Sequence, residues 1–320
     1  MTRTLIVPGA QKSGTTTLFE LLRNHPEFAP SEPKEPHFFS RPVGPSWRPN
    51  YERHFGSSVS AKWKLDASTS YLFLPQVPKR IADHLGEEAR VVVILREPLE
   101  RAVSAYWHMV RNGTERREFE EILNLLTADP EVLLASEDAA LATAVATGKA
   151  DCSSYARQFD DAAWPFRYMS NGLYSQQLSR FLTYFARDDV LVLFTDELRQ
   201  DPDHTLAKIL EFVGVDTDFV PPDVHAVMNR GNGTTGIEKR GLIAAALRAS
   251  RKAVPRSARK RLHESTGGLW RRLVVETRKK PTIGESVLDG WHEMFSADLD
   301  RLEKLAGVAV PPSWRQPPVA

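Results

Sequence analysis

"VPGAQKSGTTTLFELLRNHP", residues 7–26, decides how this chain is read. An apolar, partly β-branched run, Thr4–Pro8, leads into a glycine-bounded turn. Leu18, Leu21 and Leu22 then recur at helical spacing until "NHP". Strand, glycine turn and helix together form the plan of a phosphate-binding loop. The nucleoside-triphosphate version reads G-x-x-x-x-G-K-[ST]. Here Gly9 and Gly14 keep the glycine spacing, Thr15 stands where the lysine belongs, and the lysine is Lys12, inside the turn. A helix N-terminus presents unpaired N–H groups and the positive end of the helix dipole. Ser13, Thr15, Thr16 and Thr17 add hydroxyls, and Lys12 adds a full charge. The turn therefore reads as a phosphate site, against the plainer alternative of a glycine turn capped by threonines.

The rest of the chain repeats the strand–helix alternation. Trp63–Ala67 reads as a second strand and "VPKRIADHL" as a helix behind a proline. "ARVVVILREP", residues 89–98, carries five apolar residues in succession, the pattern of a parallel strand covered on both faces. The helix "LERAVSAYWHMVRNG" follows, then a helical middle over about 115–150, the helix "LYSQQLSRFLTYFA", the strand "DVLVLFT" and the capped helix "DPDHTLAKILEFVG". This order predicts a three-layer, P-loop-like α/β domain whose central parallel sheet is flanked by helices. A single domain is expected over 1–320, with an α/β core in 1–220 and a mobile loop and helical part in 221–320.

Composition narrows the classes. With 42% hydrophobic and 26% charged residues, 320 residues can build a sizeable core. The lone cysteine, Cys152, excludes an internal disulfide framework, and no two of the nine histidines stand as H-x-x-x-H, so no metal is expected. No window approaches the roughly 18 apolar residues of a membrane span, and "MTRTLIVPG" lacks the apolar segment of a signal peptide. A cytoplasmic protein is the expectation. Net charge is +1, yet residues 238–280 carry 14 Lys/Arg against three Glu, a local +11, leaving −10 elsewhere. That stretch is either a solvated face or a surface for an anionic ligand, acidic glycan or membrane. No nucleic-acid-binding signature accompanies it.

A triphosphate site holds magnesium with the Ser/Thr after the loop lysine and a strand-end Asp. That lysine is missing, and the strand "VVVIL" ends in Arg96. Two cationic groups without a metal-holding carboxylate suit an anion whose chemistry needs no divalent ion. "GAQKSGTTTL", "KEPHFF", "DASTSYL" and "VVVILREPLERAVSAYWH" together resemble the family of sulfotransferases that use 3′-phosphoadenosine 5′-phosphosulfate (PAPS), nearest the heparan sulfate N- and 3-O-sulfotransferases. The likeness is strong over residues 4 to about 110. It continues more weakly through "NGLYSQQLSRFL", "DVLVLFTDELRQDP" and "ILEFVGV".

The resemblance implies a donor site and a mechanism. The 5′-phosphosulfate loop falls on Gln11, Lys12, Ser13, Gly14, Thr15, Thr16 and Thr17. The 3′-phosphate falls on Arg96 and, eight residues on, Ser104, which two helical turns can bring to one phosphate. An ion pair with Glu97 or Glu100 is the alternative for Arg96. Tyr174 matches an adenine-side tyrosine or is a core aromatic. Arg230, in "NRGNGTTG", stands near where relatives often cover the donor with a basic, glycine-containing segment, though not in the same register. Lys12 would stabilise the departing 5′-phosphate. Glu35, in Glu35-Pro36-His37-Phe38-Phe39, would be the general base, with His37 competing; a plain pair of Glu35 with Lys34 is the structural alternative. One departure stands out. The branch carries a second lysine in an E-K-x-x-x-Y pattern, and Asp66-Ala67-Ser68-Thr69-Ser70-Tyr71 has alanine there. Either Lys12 acts alone, or Lys34 or Lys64 substitutes, while Ser68 and Ser70 could bond acceptor or sulfate. The expected acceptor is a hydroxyl, or secondarily an amine, of a glycan, glycolipid or small natural product. It would be met by the variable loops 40–60, 113–170 and 221–240, with Trp47, Arg48 and Tyr51 lining a cleft or packing a loop. A P-loop kinase or nucleotide hydrolase, and a non-catalytic nucleotide-binding protein, are the competing classes.

Overall fold

The computed structural model describes residues 2–56, 61–221, 235–238, 275–278 and 288–315. The elements run β1 (Arg3–Ile6), α1 (Thr15–Leu22), β2 (Phe28–Pro30), α2 (Trp47–Glu52), β3 (Trp63–Asp66), α3 (Val77–Leu85), β4 (Ala89–Leu95) and α4 (Pro98–Arg111). After these come α5 (Phe119–Leu123), α6 (Pro130–Ala146), α7 (Ser153–Gln158), α8 (Tyr174–Leu182), β5 (Val190–Phe194), α9 (Thr195–Gln200) and α10 (Pro202–Val213). A two-stranded antiparallel pair, β6 (Thr235–Glu238) with β7 (Val275–Arg278), and a helix α11 (Leu288–Ala306) complete the described elements.

The central sheet has five strands in the order β2-β3-β1-β4-β5, all parallel. Its register sets Ile6 beside Asp66 of β3 and Val91 of β4, so the carboxyl ends of β1 and β3 finish together. The unbroken apolar run of β4 is divided between the two faces. Val91, Val93 and Leu95 pack with Ile81, Leu178, Phe181, Leu299 and Leu302, from α3, α8 and α11. Val92 and Ile94 pack with Leu18, Leu22, Leu206 and Ile209, from α1 and α10. This is the three-layer arrangement the sequence predicts, and each buried aliphatic side chain contributes about 1.5–3 kcal/mol. A further cluster joins α4, α5 and α6 to Trp291, Met294 and Phe295 of α11.

β2 was not foreseen. Three residues containing a proline carry no periodic signal, and Pro30 fits because β2 is an edge strand. Thr235 and Gly236, read from sequence as part of a Pro/Asn/Gly-rich loop, lie in β6. Arg230, most of the 221–240 loop, and the basic stretch apart from the backbone of β6 and β7 lie outside the described residues. No described helix is long and apolar enough to cross a membrane.

The strand order reverses between β1 and β4, because the chain goes from β1 to one side of the sheet and from β4 to the other. In open α/β sheets such a switch point leaves a crevice beyond the strands' carboxyl ends, where ligands bind. The glycine turn after β1 and Arg96 after β4 both open onto it.

Candidate active site

The turn of residues 9–14 is pinned from three sides. Ala10 N–H donates to the Ile94 carbonyl (2.6 Å), Ile94 N–H to Gly9 (2.9 Å) and Leu72 N–H to Pro8 (2.9 Å). Thr195 Oγ donates to the carbonyls of Ser13 (2.7 Å) and Leu95 (3.0 Å), locking the end of the turn to β4 and β5. Gly9 has φ +151°, and a Cβ there would lie 2.9 Å from the Leu72 side chain; Gly14 has φ +94°. Both positions therefore require glycine. Lys12 also sits at positive φ, 70°, an uncommon state for a residue with a side chain.

This backbone gathers cations. Burial lowers the Lys12 pKa, helped by Arg111 and Arg96; Glu35 opposes this, and Lys34 adds to it. Among the described residues the Lys12 ammonium makes no hydrogen bond or ion pair. Gln11 Oε1 and Ser13 Oγ are buried without a partner. Such orphaned groups cost free energy unless a ligand meets them. Thr15 is buried, Thr16 exposed and Thr17 half-buried at the start of α1.

Arg96 projects from the end of β4. Its Nε and Nη2 donate to Glu100 (2.9 and 2.7 Å) and its Nη1 to the Lys12 carbonyl (3.3 Å). Arg199 shares Glu100 (3.3 Å). The ion-pair alternative for Arg96 is thus present, and the same pair holds the guanidinium against the turn. Ser104 lies half-buried on α4. Tyr174 is fully buried, and its hydroxyl donates to the Arg96 carbonyl (2.8 Å), fixing the backbone from which Arg96 leaves the sheet.

The segment after β2 brings in Lys34, Glu35 and His37. Phe39 anchors it, packed tilted against Tyr51 and edge-on to Tyr71 with no exposure. Glu35 Oε2 accepts from Thr69 N–H (3.2 Å) and Thr69 Oγ (2.7 Å), and Oε1 accepts from Lys34 Nζ (3.0 Å). Desolvation acts to raise the Glu35 pKa, but Lys34, the Thr69 hydroxyl and His37 outweigh it, and the carboxyl lies below its ordinary value. His37 Nε2 is 3.5 Å from Glu35 Oε2, and its Nδ1 meets Ser70 Oγ at 2.7 Å. Burial lowers the His37 pKa, with Glu35 acting against it. Both candidate bases therefore occupy one cluster.

Ser68 and Ser70 are spent inside the protein. Ser68 Oγ donates to Asp66 (2.6 Å) and accepts from His37 N–H (2.9 Å), and Ser70 Oγ bonds His37 and Ser40. Lys64 pairs with Glu52 (2.6 Å), away from the turn. Tyr51 is core, while Trp47 packs on His84 and carries Arg48 over its ring, so these residues pack a loop. His108 and Arg111 escaped the sequence reading: Arg111 acts electrostatically on Lys12, and Lys12 and Arg111 act on His108. Their signal was the helical stripe Ser104–His108–Arg111, a continuation of the pattern that begins at Arg96.

Beyond the carboxyl ends of β1 and β4, the glycine turn brings a lysine that is unpaired among the described residues to the arginine at the end of β4 and to the Glu35 carboxylate, an arrangement able to meet an anionic ligand in a P-loop-like α/β fold. A family model described as the sulfotransferase domain matches residues 2–230, and the chain belongs to that family. It is similar to mouse heparan sulfate glucosamine 3-O-sulfotransferase 3B1, 24% identical over 236 residues, covering 73% of this chain and 51% of that one. It is also similar to human bifunctional heparan sulfate N-deacetylase/N-sulfotransferase 3, 27% identical over 224 residues, covering 66% of this chain and 22% of that protein. The chain thus spans about half or less of the length of these curated relatives. A solved sulfotransferase from Alicyclobacillus acidocaldarius aligns over 99% of both chains with a TM-score of 0.64 and 25% identity.

Proposed function

We propose that this protein transfers a sulfuryl group from PAPS to a hydroxyl of a carbohydrate or other small acceptor, with Glu35 as general base. The observation that carries the reading is the Lys12 ammonium, without a hydrogen bond or ion pair among the described residues, beside the buried, unpartnered Ser13 hydroxyl, which can donate to an anion, in a turn that ends at a helix N-terminus. These residues fit the 5′-phosphosulfate, and Arg96 with Ser104 would hold the 3′-phosphate. When bound, PAPS supplies an activated sulfuryl group on a phosphate leaving group. The chain's own part is to hold and neutralise. Lys12 stabilises charge on the departing phosphate oxygen in a partly desolvated setting. Glu35 is oriented by Thr69 and accepts the acceptor proton. Tyr174 keeps Arg96 in place rather than meeting the adenine through its hydroxyl, which is bonded to backbone.

The curated relatives named for heparan sulfate support a carbohydrate acceptor. The test compares a metal-free ligand with a metal-bound one. Adenosine 3′,5′-bisphosphate should raise the unfolding temperature more than ATP with magnesium does. Glu35→Gln should leave bisphosphate binding no weaker, while turnover falls on the order of 100-fold. A larger shift with ATP and magnesium, or near-full turnover in Glu35→Gln, would overturn the reading.

A further inference from the structure

We propose that Lys34 is a second catalytic cation, whose charge is freed for the 5′-phosphate when Glu35 takes the acceptor proton. The inference rests on the sulfuryl-transfer reading. Lys34 Nζ stands between the two halves of the site: 3.0 Å from Glu35 Oε1, 3.3 Å from Thr15 Oγ and 3.5 Å from the Ala67 carbonyl. The first contact is a short charge-assisted bond; the other two are long. Lys34 is therefore held by the carboxylate of Glu35 and merely leans on the anion turn. Its side chain is only 19% exposed, so solvent screens it little.

The charge balance follows from this geometry. With Glu35 ionised, the Lys34–Glu35 pair is neutral. During transfer a bond forms from the acceptor oxygen to sulfur. The bond from sulfur to the phosphate oxygen breaks, and its electron pair stays on that oxygen. The acceptor proton passes to Glu35, and the pair then carries +1 beside Thr15. A positive charge thus appears next to the turn as negative charge collects there. Position 67 carries only a methyl group, buried to 0% exposure, and the ammonium beside it comes from Lys34 instead. Lys64, the other lysine of this region, is committed to Glu52.

The experiment needs no acceptor. Binding of adenosine 3′,5′-bisphosphate and of adenosine 3′-monophosphate is measured by calorimetry for wild type, Lys34→Gln and Lys34→Arg. Glutamine retains donors for Thr15 and Ala67 and removes the charge. Lys34→Gln should weaken the bisphosphate roughly tenfold, because the Glu35 carboxylate, no longer balanced by Lys34, then repels the 5′-phosphate, and leave the 3′-monophosphate within about twofold. Lys34→Arg should keep the bisphosphate within about threefold. The Glu35 carboxyl, followed by its carbon chemical shift, should titrate higher in Lys34→Gln than in wild type. Glu35→Gln should tighten the bisphosphate, since it uncovers Lys34. Equal weakening of both ligands, or none, would overturn the role of Lys34 while leaving the transfer reading intact. Failure of wild type to bind the bisphosphate would sink that reading itself.

Discussion

Two polar clusters lie side by side at the carboxyl ends of β1 and β3, and they are built on opposite rules. Around Asp66, every oxygen is met. Tyr51 and Tyr71 hydroxyls donate to Oδ2 (3.0 Å each), and Ser68 N–H and Oγ donate to Oδ1 (3.1 and 2.6 Å). In the turn after β1, among the described residues, the Lys12 ammonium has no bonded partner, and the buried Gln11 Oε1 and Ser13 Oγ have none either. A satisfied buried network rigidifies; an unsatisfied one is tolerated where something else completes it. The contrast separates scaffold from site more sharply than burial does, for both clusters are largely inside the protein. The satisfied cluster also reaches the segment that carries Glu35: Ser68 Oγ, bonded to Asp66, accepts the N–H of His37, and the Tyr71 hydroxyl accepts the N–H of Phe39.

The strongest way to break the contrast is to empty the satisfied cluster. Asp66→Ala leaves three buried hydroxyls without their acceptor, at about 1–3 kcal/mol each, so a loss of at least about 3 kcal/mol is expected in denaturant unfolding. Burial raises the Asp66 carboxyl to about 6, against the four hydrogen bonds that lower it. Its folded value is thus above the ordinary 3.8, so the native state binds this proton more tightly than the unfolded chain does. Its contribution is full below about 4 and declines as pH rises through 6. Asp66→Asn should remove that slope from the wild-type stability curve. An Asp66→Ala protein as stable as wild type would mean the cluster is not the scaffold described here.

A smaller effect is expected from the open cluster. Arg96→Ala should weaken adenosine 3′,5′-bisphosphate by roughly 1.5–3 kcal/mol, the worth of a charge-assisted bond, with 5′-AMP nearly unchanged. The lower end is favoured because a phosphate must draw Arg96 from Glu100, which already occupies its Nε and Nη2. Glu100→Gln should move the affinity the other way. Equal losses for both ligands would remove Arg96 from the 3′-phosphate.

The sequence was legible where one physical rule dominates. The five apolar residues of β4 could only be a doubly covered strand, and "VPKRIADHL" became α3 over Val77–Leu85 as read. The glycine turn and the place of Arg96 at the end of β4 were legible because glycine spacing and strand-end position are local. Lys34 was visible as a lysine, but its seat beside Ala67 depends on β2 pairing with β3 in register, and β2 is too short to announce itself. Thr69, which orients Glu35, and Thr195, which pins the turn, act across 34 and 182 residues of chain, respectively, and no spacing rule reaches that far. The roles of Ser68 and Ser70 were misjudged because a hydroxyl bonds inward as readily as outward, and only the buried Asp66 and His37 decide which.

His108 offers the finest test of the contrast, because it borders the open cluster without belonging to either. Desolvation lowers its pKa to about 4, and the charges of Lys12 and Arg111 push the same way against Glu35. The folded value lies below the ordinary 6.5, so the unfolded chain takes up this proton first. The histidine is neutral at pH 7, and stability should be lost as pH falls from about 6.5 to 4, by less than about 2 kcal/mol once partial exposure is allowed for. His108→Gln should flatten that part of the curve. An anion bound at Lys12 should offset its charge, so adenosine 3′,5′-bisphosphate should raise the His108 pKa, read directly from its ring-proton shifts. The acid loss in wild type should then shrink on saturation with bisphosphate, and His108→Gln should show no such change. A His108 titration that ignores the ligand would place the bound anion away from Lys12, and with it the open cluster would lose its meaning as the donor site.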